Sequence, residues 1–224
     1  MPRIFAPSHN HPDILINTIS VENYFEIDNA LSRIKETPSG SSLLKQIDDN
    51  CKNGKRVQIY ATANTLSHTI PELTVRQSEN NRHRLGGLLS EEMLARELAV
   101  KKGKFKASGT SAKVIYNQFF ESVAYSQGHT QTEMTSEDDN DSTLFHELVH
   151  AMRILKGTYT NDMSPKGYED EMLRAIGVMQ YENEPISENK FREQTGLQLR
   201  SFYEVTTNVN NTNMTRRPGI MTPD

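Results

Sequence analysis

Residues 142–157 read Ser142-Thr143-Leu144-Phe145-His146-Glu147-Leu148-Val149-His150-Ala151-Met152-Arg153-Ile154-Leu155-Lys156-Gly157. Leu144, Leu148, Ala151 and Leu155 recur at helical spacing, which predicts a helix from Thr143 to Lys156 with one apolar face. Gly157 ends it, and Asp141, Ser142 or Thr143 can supply its N-cap. On such a helix His146 and His150 stand one turn apart on the same face, so two imidazoles converge on one point. That is the spacing of a zinc-binding pair. Glu147 is one step round and can reach a water on the metal without being a ligand. The chemistry served by this pattern is hydrolysis: zinc lowers the pKa of the water and the glutamate takes its proton. A chance His-Glu-x-x-His in a chain of this composition is on the order of a 1–2% event, so the run carries weight. His9, His11, His68, His83 and His129 lack such spacing and are expected to be surface residues.

A catalytic zinc needs a third protein ligand and one open position. Arg153 and Lys156 stand where a metzincin would have its glycine and third histidine, which excludes that class. Cys51 lacks the surroundings of a deformylase ligand. Two choices remain. Glu171, in Glu169-Asp170-Glu171, follows His150 by 21 residues, close to the spacing of thermolysin-like gluzincins. Asp162, in Gly157-Thr-Tyr-Thr-Asn-Asp162, has a spacing similar to that of aspzincins. Glu171 is preferred, because a predicted helix carries it and the small Ala175 one turn on leaves room for a neighbour. Asp162 beside Asn161 has a turn-forming role to play. Glu169 and Asp170 are expected to face solvent or to orient an imidazole. Arg200 and Tyr203, three residues apart, can both point into a cleft and stabilise an oxyanion if their segment is helical. Tyr159, Tyr168 and Tyr181 are weaker candidates for that role.

Outward from the motif, an acidic stretch (Glu137, Asp138, Asp139, Asp141) closes a polar segment, 126–141, that reads as a loop. Its carboxylates complement the positive end of the helix that follows. Helices are expected at 42–50, 90–100 and 168–179, with another starting at the N-cap Ser187, and strands at 57–61 and 112–120. Lys101, Lys102, Lys104 and Lys106 around Gly103 read as a solvated basic turn, with an acidic docking partner as the minority reading. Residues 1–40 show no sustained period and read as a flexible leader. Residues 41–205 are expected to form the catalytic domain, and 206–224 a flexible tail.

The whole chain has 224 residues, enough to bury a core without staples, with 35% hydrophobic residues and a mean hydropathy of -0.67. A net charge of -4 argues against a general nucleic-acid binder. No apolar run approaches a membrane span, and no Sec-type signal is visible. The single cysteine, Cys51, forms no internal disulfide and reads as an incidental thiol. A monomer is expected. The architecture expected is α+β and zincin-like, with a small sheet packed on the active-site helix and a helical C-terminal half.

Four runs together resemble the NleD-type metallopeptidases: His146-Glu-Leu-Val-His150-Ala-Met-Arg, Glu171-Met-Leu-Arg-Ala-Ile-Gly177, Ile186-Ser-Glu-Asn-Lys-Phe-Arg and Gly196-Leu-Gln-Leu-Arg200-Ser-Phe-Tyr203. The resemblance covers 142–204 well and 40–141 loosely. It implies a zinc endopeptidase exported by a type III secretion system into the host-cell cytoplasm, where such effectors cut mitogen-activated protein kinases. It places zinc on His146, His150 and Glu171, with Glu147 as general base. It also makes the leader a type III export signal. Met172 stands where family members often have a second glutamate, a departure that bears on the third ligand. Arg200 and Tyr203 resemble the Arg-x-x-Tyr pair of clostridial neurotoxin light chains. Two other readings stay open: an effector that binds a host protein around a structural zinc, and an antibacterial toxin protease.

Overall fold

The computed structural model describes residues 3–85, 90–118, 120–124, 130–134, 137–200, 206–209 and 212–215; side chains are described as far as Gln118 and from Asn140 to Arg200. Five strands form the main sheet: β1 (Ile4–Pro7), β2 (Ile14–Thr18), β3 (Val57–Ala61), β4 (His68–Glu72) and β5 (Ser111–Tyr116), in the order β1-β2-β3-β5-β4. The inner strands β2, β3 and β5 are parallel, and the two edge strands run antiparallel to their neighbours. Alternation along the strands sends every second side chain inward. The register then lines up Ile14, Val57, Ala112 and Pro71 in one buried row, and Ile16, Ile59, Val114 and Thr69 in the next. Pro71 sits on an edge strand, where a missing N–H is tolerated.

Helices α1 (Val21–Glu36) and α2 (Pro38–Asn50) follow β2. Ser20 caps α1, and Tyr24, Ile27, Leu31 and Ile34 recur at helical spacing along its buried face. Thr37 ends α1 and caps α2 by accepting from Gly40 N, and Pro38 opens the new helix, where it loses no bond. Two shorter helices, α3 (Val75–Asn80) and α4 (Glu91–Ala99), precede β5, and β6 (Phe120–Ala124) and β7 (Thr130–Met134) pair as a hairpin after it.

Helix α5 (Glu137–Leu155) carries the motif and is the centre of the core. Every residue from Asp141 to Leu155 is buried. The helix packs on β4 and β5 of the sheet, on α1 and α2, and on α6 (Pro165–Ile176) and α7 (Glu188–Thr195). Arg33 of α1 clamps Asp141 near the start of α5 through two hydrogen bonds of 2.6 and 2.8 Å, and Tyr116 of β5 donates to the Asn140 carbonyl. Leu144, Leu148 and Ile154 join Ile14, Ile59 and Val114 of the sheet and Leu31 and Leu44 of the helix pair in one cluster. Gly177 ends α6 at φ 82°, a left-handed cap that glycine adopts without strain. A last hairpin joins β8 (Thr206–Val209) to β9 (Thr212–Thr215).

The chain is therefore mixed α and β, with a small sheet packed on the motif-bearing helix and helices dominating 137–195. Three stretches read as leader, loop or tail hold regular elements. The flexible leader expected over 1–40 is instead β1, β2, α1 and the start of α2, because Ile14 and Ile16 enter two buried rows of the sheet and α1 has a full apolar face. The polar stretch read as a loop over 126–141 contains β7 and the first turn of α5. The tail holds the β8–β9 hairpin. Among the described residues no helix is long and apolar enough to cross a membrane.

Candidate active site

Five ionisable side chains on α5 are buried: Asp141, His146, Glu147, His150 and Arg153. Burying them is costly unless each is bonded, and each one is. His146 and His150 meet at 84° with their Nε2 atoms 3.0 Å apart. The other nitrogen of each ring faces a carboxylate. His146 Nδ1 lies 2.9 Å from Glu188 Oε2, and His150 Nδ1 lies 3.1 Å from Glu171 Oε1. A carboxylate on Nδ1 assigns the ring proton there and leaves Nε2 as a lone pair. Both Nε2 lone pairs then aim at the same point, an arrangement that repels itself unless a cation lies between them. The two residues fit a divalent metal for that reason. Burial pushes the His146 pKa down against the pull of Glu188, which favours the neutral, metal-binding imidazole. Among the described residues, no three His, Cys, Asp or Glu side chains converge as a ready-made set of metal ligands.

Glu188 begins α7, just after its N-cap Ser187. Phe191 of the same helix stacks on Phe145 of α5 at 4.7 Å, and that contact fixes α7 beside the histidines. Glu188 also takes hydrogen bonds from Arg192 (2.7 Å), Arg200 (2.8 Å) and Ser142 (3.2 Å). Burial alone would raise its pKa; the Arg200 and Arg192 charges and the bond from His146 hold it well below the usual range. Glu188 was not singled out in the sequence. Its signal was an acid directly after a serine N-cap, with an arginine one turn on and another at position 200.

Glu171 is fully engaged. Oε1 accepts from Arg153 Nε at 2.8 Å and faces His150, and Oε2 accepts from the Thr160 N–H and hydroxyl, each at 2.8 Å. Burial would raise its pKa, but Arg153 and His150 bring it down to about 2. Its carboxylate thus lies on the Nδ1 side of His150. Asp162 stands apart: it is exposed, and its Oδ1 accepts from Ser164 N and Oγ in the turn before α6. That local bonding lowers its pKa.

Glu147 points at the sheet. Its Oε2 accepts from Thr69 Oγ1 at 2.7 Å, and the same hydroxyl lies 3.1 Å from the Glu147 carbonyl. Thr69 reaches it because the β4–β5 register sets Thr69 opposite Val114, in the row that faces α5. Nothing in a single strand of sequence signalled that partnership. Arg200 is buried and reaches the site through Glu188, while its backbone is tied to Asn189 by bonds of 2.8 and 2.6 Å. Tyr203 lies outside the described residues. Tyr168, on α6, is close enough to feel both Glu147 and Arg200, though burial is the main cause of its raised pKa.

A family model for Peptidase M91, described as "Effector protein", matches residues 18–203. No curated protein matches the chain. Among solved structures, the catalytic domain of Clostridium botulinum neurotoxin serotype F matches at 13% identity and TM-score 0.39, over 64% of this chain and 39% of that one. The botulinum neurotoxin type G light chain matches at 13% identity and TM-score 0.39, over 73% of this chain and 52% of that one. The chain thus spans between about 39% and 52% of the length of these two chains.

Proposed function

The chain belongs to the Peptidase M91 family of effector proteins, and on that premise we propose that it is a zinc-dependent endopeptidase acting on a host protein. The observation that carries this reading is the pair of Nε2 atoms 3.0 Å apart, each ring backed by a buried carboxylate. His146 and His150 would hold zinc through these two nitrogens, and the bound ion would supply an acidified water and a Lewis acid for the scissile carbonyl. Glu188 and Glu171 hold the two rings in the tautomer that offers Nε2. In this reading Glu171, expected from the sequence as the third ligand with Asp162 as the alternative, is the group that positions His150.

Glu147 is the general base. Thr69 occupies its Oε2, so Oε1 takes the proton from the attacking water and delivers it to the leaving amine. Arg200 and Tyr203 are proposed to steady the oxyanion, Arg200 being held ready by Glu188. The substrate proposed is a mitogen-activated protein kinase in the host cytoplasm, reached by type III secretion, with the enzyme acting as a monomer. The test is to incubate zinc-loaded protein with activated kinases and analyse the fragments by mass spectrometry. Cleavage by the wild type, lost in a Glu147→Ala variant that keeps fold and zinc, is the expected result. Equal cleavage by that variant would refute the mechanism.

A further inference from the structure

The basic turn after α4 does not stand in solvent alone. Lys102 N and Phe105 O, and Phe105 N and Lys102 O, close it at 3.0 and 3.1 Å, and Ala107 N donates to Gly157 O at 2.8 Å. Gly157, at φ 66°, permits that approach: a Cβ there would sit 2.1 Å from the Ala107 carbonyl oxygen. The turn is thereby pinned beside the C-terminal end of α5. Between them lies a cavity of about 440 Å³. Lys101, Lys104, Lys106, Arg153, Lys156 and Arg174 line it, against a single carboxylate, Glu184. Val149, Met152 and Ile186 supply its apolar part.

This concentration of charge is not a product of composition, since the whole chain has net charge -4. Helix-dipole compensation does not account for it either. Lys55 already bonds the Leu155 carbonyl at the end of α5, at 2.6 Å. Glu184 is committed to Arg174, and Arg153 to Glu171. Lys101, Lys104 and Lys106 have no ion-pair partner among the described residues. The pKa of Lys156 is lowered by burial first and then by the neighbouring Lys106 and Arg153 charges, against a smaller pull from Glu184. Surplus cations around a concave space of this size match a compact ligand with several anionic groups.

We propose that this cavity binds a small polyanion carrying several phosphate groups, either a free polyphosphorylated molecule or the headgroup of a phosphoinositide. The inference does not depend on the peptidase reading, because none of its lysines touches the histidine pair. It does place the ligand against Arg153, which is bonded to the Glu171 that holds His150.

The test is calorimetric titration of the full chain with inositol hexakisphosphate and with inorganic tripolyphosphate at physiological salt. In parallel, sedimentation is measured with vesicles containing phosphatidylinositol bisphosphate. The comparison is a Lys104→Ala/Lys106→Ala variant, whose two exposed side chains leave the core intact. Saturable binding by the wild type, weakened at least about tenfold in the variant at an unchanged unfolding midpoint, is expected. Binding to the soluble molecules identifies a free polyphosphate, and binding to vesicles alone identifies the headgroup. No binding in any arm, or equal binding by the variant, would overturn the proposal.

Discussion

Glu188 Oε2 sits 2.9 Å from Nδ1 of His146, so the carboxylate that begins α7 orients a ring on α5. The same oxygen takes a hydrogen bond from Arg200 Nη1 at 2.8 Å. One buried acid thus links the histidine proposed to hold the metal to the arginine proposed for the oxyanion. Replacing it with alanine removes a carboxylate that bonds two buried guanidinium groups, those of Arg192 and Arg200. Glu188→Ala is expected to cost about 3–5 kcal/mol of stability in urea unfolding. Unchanged stability would mean that solvent relaxes around the arginines and that Glu188 is dispensable.

Thr69 offers a cleaner test of the base, because it touches Glu147 and none of the proposed ligands. Thr69→Val keeps the shape and removes the donor. The expected outcome is a kcat lowered by about tenfold, the scale of one hydrogen bond lost to a reacting carboxylate, with zinc content and KM unchanged. A variant with wild-type kcat would show that Glu147 needs no such anchor.

Glu171 separates two roles by magnitude. A carboxylate that positions His150 through Nδ1 should weaken zinc binding by about 10–100-fold in Glu171→Gln, measured against a competing chelator. A direct ligand would take zinc occupancy to near zero. Loss of zinc in Asp162→Ala instead would favour the other spacing noted in the sequence, against the Ser164 bonding that Asp162 has here.

Cys51 should be a poor nucleophile. Burial, followed by the nearby Asp13 and Asp48 charges, pushes its thiol up to about 12. Only the thiolate alkylates, so iodoacetamide at mildly alkaline pH should modify it at roughly one-thousandth the rate of a free cysteine thiol of ordinary pKa. Alkylation at the rate of a free thiol would contradict that environment.

The motif helix was legible because its chemistry is local. His146, Glu147 and His150 lie within five positions, and helical geometry alone places both rings on one face. Helix α7 was legible from Ser187, and β3 from its alternation about Ile59. Contacts between distant segments were not. Thr69 meets Glu147 only because a five-strand register faces it toward α5, and Glu188 meets His146 only because Phe191 stacks on Phe145. Helix α1 is hard to read because Tyr24 and Ile27, which complete the period with Leu31 and Ile34, stand among polar neighbours. The acidic stretch before the motif reads as loop because Glu137, Asp138 and Asp139 add no apolar period, although they form the first turn of α5.

On the function proposed above, the Nε2 atoms of His146 and His150 share one divalent ion. Diffraction from crystals grown with zinc, recorded on both sides of the zinc absorption edge, measures this directly. One anomalous peak bonded to both nitrogens, with Glu188 and Glu171 still on the Nδ1 atoms, is the predicted result. Crystals grown in excess zinc that show no peak there, or rings turned apart, would contradict it.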